Sequence, residues 1–406
     1  MLPLDDILVL DLSRVLSGPY CSMYLGDFGA RVVKVEPPNG DDTRGFGPPF
    51  VGGESTYFMS VNRNKESIVV DLKTVRGKKL VGDLAARADV LLENFRPGTL
   101  EKFDLNYETL AKKNPLLIYA SISGFGHHGL AEWVQRPGYD VVIQGMGGAA
   151  SLTGEPDGPP LKFGVSVADL VSGLYALSGI LVALHARARN GRGQHVDVSM
   201  LDGQISLLTY HAGMYFATGR SPSRLGNRHP SIVPYETFLA ADGYVNIAVG
   251  NDSLWRAFCA EVGAPLSALA NDDHFASNRG RVEHRLELAA TLDPLIAKRS
   301  VAEWLQICER AKVPAGPILN VAEALSHPQI AARQMIASVA HPTAGELRVT
   351  GVPIRLSETP GKVRTPPPRL GEHSRHILRE LGVSDAECDE LLKSGVVASG
   401  APGSRR

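Results

Sequence analysis

The chain has 406 residues, 44% hydrophobic and 21% charged, with 42 Lys+Arg against 43 Asp+Glu and a formal net charge of -1. That length predicts about two or three domains of ordinary globular composition, and the balanced charge gives no electrostatic footprint for nucleic acid or an anionic membrane. Four widely spaced cysteines (Cys21, Cys259, Cys308, Cys388) with no CxxC pair read as reduced thiols, excluding a disulfide frame or a cysteine zinc site. The acidic start, Met-Leu-Pro-Leu-Asp-Asp, lacks the basic residues of a targeting peptide. The longest continuous apolar run noted, Ile180–Leu184, falls far short of a membrane span. The expectation is a soluble, cytoplasmic protein.

In chain order, apolar runs predict strands at Ile7–Leu12, Val32–Glu36, Ile68–Leu72, Val90–Glu93 and Leu116–Ile122. Helical patterns at Pro19–Phe28, Gly77–Arg87 and Tyr107–Lys113 separate them. This alternation predicts parallel βαβ units, an α/β fold with a doubly wound sheet. A long helix is expected over 169–189, ending at Asn190-Gly191 with Arg187 and Arg189 in its last turn. His195–Ser199 reads as a strand and Leu201–Thr218 as a helix, before the loop-like text GRSPSRLGNRHP at 219–230. A smaller α+β unit follows, with a strand at Tyr244–Val249, helices near 252–262, 281–298 and 301–311, and a loop-rich stretch at 313–317. Short strands near 336–340 and 346–350 and the stiff passage RTPPPRLGEH lead to helices near 374–381 and 384–394. The predicted organisation is a large Rossmann-like domain over 1–200, a linker over 201–228, and a small domain over 229–335. A return segment over 336–406 packs on the large domain, with a disordered tail from about 398.

Asp169 is the most informative residue: the only carboxylate between Asp157 and Asp197, at the head of the long helix and followed by Ser172, Gly173, Ala176, Ser178 and Gly179. Unpaired amides and the helix dipole predict that it stays ionised at neutral pH. An ionised carboxylate beside a ligand-sized gap can attack an acyl carbon; an Asp at a helix start is more usually only an N-terminal cap. The usual cofactor signatures are missing. There is no P-loop, HExxH or GxSxG, and the turn after the first strand, DLSRVLSGPY, holds one glycine where a dinucleotide fold needs three. The GMGG cluster at 145–148 lacks the flanking strand and helix, and His127-His128 has no partner ligand at metal spacing. No metal and no permanently bound cofactor are expected.

Basic residues gather at successive strand ends, where open α/β sheets bind ligands. Arg14 follows the first strand, Lys34 lies in the second, and the 41–68 loop holds Arg44, Arg63 and Lys65. Asn94-Phe95-Arg96 follows another strand, with Lys73, Arg76 and Lys102 just beyond. Point charges, guanidinium forks and apolar slots suit a ligand with several phosphates and an aromatic base, although a solvated charged rim has the same composition.

Together LDLSRVLSGP, VVKVE with its DDTR sequel, NRNKESI, ENFRPG, the GFG turn, TGEPDGPP before Asp169, NGRGQHVDVSMLD, GNRHPSIVPYETF and LGEH resemble the class III CoA-transferases. That family includes formyl-CoA transferase, carnitine CoA-transferase and α-methylacyl-CoA racemase, and the resemblance runs over roughly residues 3–395. The fragment GPPFVGGESTYFMSVNRNK is most similar to the branch that moves CoA among dicarboxylic acids such as succinate and glutarate. The resemblance implies an interlocked homodimer of two-domain chains, with coenzyme A as substrate. It makes Asp169 the catalytic nucleophile. It implies CoA contacts at Val15, Leu72, Asn94, Phe95 and Lys102, and more loosely at Lys65, Lys73 and Arg96.

Departures from the family pattern point to the acceptor. Leu16 stands where the oxalate branch has Gln, and GNRHPSI where that branch has a glycine run, which argues against oxalate. Tyr139-Asp140 replaces the His-Asp pair of the racemase branch, which favours transfer over proton exchange. Arg44, Arg63 and His229 are the candidates to meet a distal carboxylate, and the loops 124–126 and 145–148 the candidates for oxyanion donors. A 2-methylacyl-CoA racemase and a non-catalytic acyl-CoA-binding protein are the alternatives.

Overall fold

The computed structural model describes residues 1–399. It divides into two compact units: the first takes in Met1–Ala149, Phe163–Tyr210 and the chain from Pro328 onward, the second Ala150–Lys162 and His211–His327.

The first unit is built on six parallel strands, β1 (Leu8–Asp11), β2 (Arg31–Glu36), β3 (Lys65–Val70), β4 (Val90–Glu93), β5 (Ile118–Ser123) and β6 (His195–Ser199). Across the sheet the order is β3-β2-β1-β4-β5-β6, and Val397–Ala398 adds an antiparallel edge strand on β3. Chain order reverses beside β1, which places a topological switch point between β1 and β4. The inner strands read as near-continuous apolar runs because both faces are covered. On one face α2 (Val75–Arg87), α3 (Tyr107–Lys113) and the C-terminal helices bury Leu10, Val33, Ile68, Leu84, Leu91, Ile377 and Leu391. On the other, α1 (Ser17–Asp27) and the long helix α5 (Val167–Asn190) bury Val9, Val32, Leu25, Leu92, Ala176 and Ile180; α4 (Asp140–Met146) lies beside α5.

The small residues of α5 serve helix packing. A Cβ at Gly173 would stand 2.5 Å from the Ser17 carbonyl oxygen, and one at Gly179 would stand 2.6 Å from Val196 Cγ1. At these two glycines the close approach is made by the protein's own backbone and by β6. By length and composition α5 could cross a membrane, which reading continuous apolar runs had missed. Its buried face is part of the core of this unit.

The second unit holds a three-stranded antiparallel sheet, Ala315–Pro317, Tyr244–Ala248 and Tyr235–Leu239, over a core of Trp255, Phe258, Leu288, Trp304 and Ile307. Its two flanking strands had no distinct pattern in the sequence. Elsewhere the main shifts from expectation are breaks and boundaries. The 201–218 helix splits into Met200–Ser206 and Thr209–Thr218, with Thr209 at φ +37, and the 281–298 helix splits at His284. Residues up to Tyr210 cluster with the first unit, so the expected 201–228 linker begins as part of it. Residues 150–162 join the second unit, and the return begins at Pro328. Ala398, placed in the tail by the sequence, pairs with Val69, and the rest of that tail from residue 400 lies outside the described residues.

Candidate active site

A cavity of roughly 520 Å³ opens at the carboxyl ends of β1 to β4, at the switch point. Its walls include Arg14, Lys34, Leu72, Lys73, Phe95 and Phe103. Leu72, Lys73 and Phe95, three of the residues expected at CoA, thus line one cavity. Arg96 and Lys102 are exposed on the loop and short turn that follow β4. Arg14 reaches over the Phe95 ring at 5.5 Å and pairs with Asp42 at 3.2 Å, both half-exposed.

The loop between β1 and α1 forms one rim. Val15 there has φ +66, a conformation costly for a β-branched residue and maintained only where the surroundings over-determine it. Asn94 supplies that restraint: its Oδ1 accepts the Arg14 amide at 2.8 Å, and its Nδ2 donates to the Arg14 carbonyl at 2.7 Å. The Val15 amide donates to Asp41 Oδ1 at 3.3 Å. Asn94 therefore acts as a clamp on the Val15 loop, with both ends of its amide engaged.

Three cations expected at the ligand are committed to the scaffold instead. Lys65 is fully buried and donates to Asp11 Oδ2 (3.2 Å), the Pro19 carbonyl (2.9 Å) and Asn62 Oδ1 (2.8 Å), all three ammonium donors in use. Arg63 grips Asp27 through two bonds of 2.9 and 2.7 Å and the Thr350 carbonyl at 2.8 Å. Arg44 makes two 2.7 Å bonds to Glu36, a third to the Pro368 carbonyl, and stacks 3.7 Å from the Phe58 ring centre. Their side chains are turned to these partners, against the expected CoA contact at Lys65 and acceptor contacts at Arg44 and Arg63. Each has a buried carboxylate that its removal would strand.

Asp169 is the third residue of α5 and half-buried. The helix-start amide of Ala168 donates to Asp140 Oδ1 at 2.9 Å, and Asp140 Oδ2 accepts Gln144 Nε2 at 2.7 Å. A second carboxylate therefore takes that helix-start donor. Burial, with the Asp140 charge added, pushes the Asp169 carboxyl up to about 7. Water loss and the neighbouring carboxylate both favour the protonated form, against the expectation of full ionisation at neutral pH. Tyr57, half-buried on the helix Thr56–Val61, feels the same field: burial and then the Asp169 charge push its phenol up to about 12. Tyr57 lies inside the fragment that carried the dicarboxylate resemblance, but nothing in its spacing marked it.

The other expectations resolve unevenly. Gly147 donates its amide to the Ile143 carbonyl at 2.7 Å and Gly145 lies within α4, which removes both as oxyanion donors. Tyr139 is 67% exposed just before α4, and Leu16 packs partly buried against the core under α1. His229 belongs to the second unit, where its Nδ1 accepts the Ser231 amide at 3.1 Å. In that unit His274, His284 and Glu287 place ligand-type atoms within 4.8 Å of one another. The two imidazoles are stacked 3.9 Å apart at 6°, so their lone pairs lie in parallel planes and do not converge on one ion.

A sequence model described as CoA-transferase family III matches residues 4–374. The chain belongs to that family. This CoA-transferase is 44% identical to a succinate–glutarate CoA-transferase of Agrobacterium fabrum, over 93% of the chain and 96% of the relative. It is 43% identical to an acetyl-CoA:oxalate CoA-transferase of Acetobacter aceti, over 95% and 97%. Among solved structures a CAIB/BAIF family protein from Brucella suis superposes with a TM-score of 0.83 at 44% identity, covering 94% of this chain and 99% of that one. The oxalate-named and glutarate-named relatives are equally similar, so overall likeness does not carry the case against oxalate drawn from Leu16.

Proposed function

We propose that this CoA-transferase moves CoA from an acyl-CoA donor to a dicarboxylate acceptor, with Asp169 as the covalent nucleophile. The observation that carries the reading is a carboxylate at the head of α5 whose pKa is raised by burial and by the charge of Asp140, in the unit that holds the strand-end cavity. Such a carboxylate is a stronger nucleophile than a hydrated one once it is ionised. The cavity takes the nucleotide end of CoA, with Arg14, Lys73, Arg96 and Lys102 near its phosphates and Phe95 against an apolar part. Binding the far end holds the thiolate at high effective concentration.

Asp169 attacks the donor thioester carbonyl; the carbon–sulfur bond breaks, leaving a mixed anhydride and CoA thiolate. The thiolate attacks the Asp169 acyl carbon, releasing the donor acid and forming an aspartyl-CoA thioester. The acceptor carboxylate attacks that thioester to give a second anhydride and free the thiolate, which then takes the acceptor acyl group and restores the Asp169 carboxylate. Each attack develops an oxyanion, for which the Gly124–Gly126 turn remains the candidate donor and the Tyr57 hydroxyl is a second.

The dicarboxylate class rests on the relatives' substrates and on the 41–68 segment around Tyr57. A homodimer is part of the proposal. The outer face of α5 leaves Leu174, Tyr175, Leu181 and Val182 exposed, an apolar stripe that suits a second chain. A reducing, cytoplasmic setting fits four free, buried cysteines.

The test is to quench turnover of succinyl-CoA with glutarate and map the adduct by mass spectrometry under conditions that preserve thioesters. CoA or acyl on the peptide bearing Asp169 supports the reading; an unmodified peptide during active exchange overturns it. A panel of succinate, glutarate, mesaconate, citramalate, itaconate, oxalate and carnitine then sets the acceptor class. Deuterium entry at the α-carbon without CoA exchange would select the racemase reading instead.

A further inference from the structure

Gln144 on α4 is completely buried and takes no part in the steps above. Its side-chain amide is used at both ends. Oε1 accepts the Phe163 backbone amide at 2.7 Å, and Nε2 donates to Asp140 Oδ2 at 2.7 Å. Chemistry fixes this orientation, because a backbone N–H can only donate and an ionised carboxylate can only accept. The other Asp140 oxygen, Oδ1, accepts the Ala168 amide at 2.9 Å. Ala168 directly precedes Asp169.

The strap over 163–168 that leads into the nucleophile is therefore bound to α4 at both of its ends. Between and at those ends, Phe163 and Val165 are more than half exposed, and a Cβ at Gly164 would meet nothing within 4 Å. The two backbone amides are the strap's fixed points on α4. Phe163 is also the residue at which the chain re-enters the first unit after residues 150–162. The base of the clamp is itself seated closely. Ile143 is fully buried in the core, and a Cβ at Gly147, just past the end of α4, would stand 2.3 Å from Gln204 Cγ on the helix Met200–Ser206.

We infer that Gln144 is a positioning residue for the transfer reaction: with Asp140 it clamps the 163–168 strap and so sets the direction from which Asp169 meets the acyl carbon. Reaction at a carbonyl carbon needs aligned groups at close range, and a displacement of about 1 Å can cost about 100-fold in rate. Gln144 also holds in place the Asp140 carboxylate, whose charge adds to the effect of burial on Asp169.

The inference rests on Asp169 being the nucleophile, and the test separates the two. The polarity of the clamp can be reversed without changing its shape. In Gln144→Glu two carboxylates face one another and the bond to Asp140 is lost. Adding Asp140→Asn restores every bond: the new amide donates to the new carboxylate, whose other oxygen accepts the Phe163 amide, while the carbonyl at 140 accepts the Ala168 amide. Exchange between succinyl-CoA and glutarate is measured for wild type, Gln144→Glu, Gln144→Met, the double variant Asp140→Asn/Gln144→Glu and Asp169→Asn. Calorimetric titration with CoA gives the folded, binding-competent fraction of each, and kcat is expressed per competent molecule. Gln144→Glu and Gln144→Met should lower kcat about 10- to 100-fold with CoA affinity within about twofold of wild type. The double variant should return to within about tenfold of wild type. A space-filling role for Gln144 would give no such recovery, since the double variant has the same shape as Gln144→Glu alone. A double variant as slow as Gln144→Glu, or wild-type kcat in Gln144→Met, overturns the clamp while an inactive Asp169→Asn leaves the nucleophile standing. Full exchange in Asp169→Asn would instead overturn the nucleophile, and the inference with it.

Discussion

The strand-end rim and the head of α5 hold the same kind of residue under opposite electrostatic conditions. At the rim Asp11 is completely buried; burial alone would raise its pKa, but Lys65, Lys34, Ser13 and Ser22 together bring it below the usual carboxylate value. At the helix head Asp169 is less buried, yet its nearest charge influence is another carboxylate, and its pKa climbs to about 7. Compensated burial makes an inert structural ion; uncompensated burial makes a reactive one. The pH signs differ accordingly. Asp11 contributes stability above its unfolded pKa that is lost as pH falls. Asp169, raised in the folded state, costs stability as pH rises from about 4 through about 7.

The largest effect is expected from Asp169→Asn, which should lower exchange about 10⁴-fold or more and leave CoA affinity intact. The same variant should melt higher than wild type at pH 8 and no differently at pH 3.5. A lower melting point at pH 8 would show that the Asp169 charge is compensated after all. On the rim, Lys65→Met should destabilise by about 3–5 kcal/mol because Asp11 loses a buried partner, measured by urea unfolding. Arg44→Met should likewise weaken the fold and slow glutarate and a monocarboxylic acceptor to the same degree; selective loss of glutarate would return Arg44 to the acceptor site. Asp140→Asn removes the charge that helps raise Asp169, so the acid limb of the kcat profile should move to lower pH by under one unit, with kcat falling less than about tenfold. The smallest change is Val15→Gly. It relieves about 1–3 kcal/mol of backbone strain but adds chain entropy of about 1 kcal/mol. Stability should shift little, and KM for acyl-CoA should rise as the rim loosens.

The strands, the helix α5 and the C-terminal pair of helices were legible because their apolar periodicity is local. The position of Asp169 at a helix head was legible for the same reason. Its ionisation was not, since the donor expected for it is taken by Asp140, 29 residues earlier in the chain. Arg44, Arg63 and Lys65 have the composition of a phosphate site; only the fold shows each facing a carboxylate from a different strand or helix. Glu93 carried no signal, and His127 was weighed only as half of a histidine pair lacking metal partners, until β4 and the loop after β5 bring the two together.

By itself the sequence determined the α/β alternation, the family resemblance and the position of the candidate nucleophile at a helix head, all properties of residues and their spacing. The tertiary structure decided which charges are neutralised and which are left to react. That depends on partners distant in the chain and on how much water each carboxylate loses, neither of which spacing encodes.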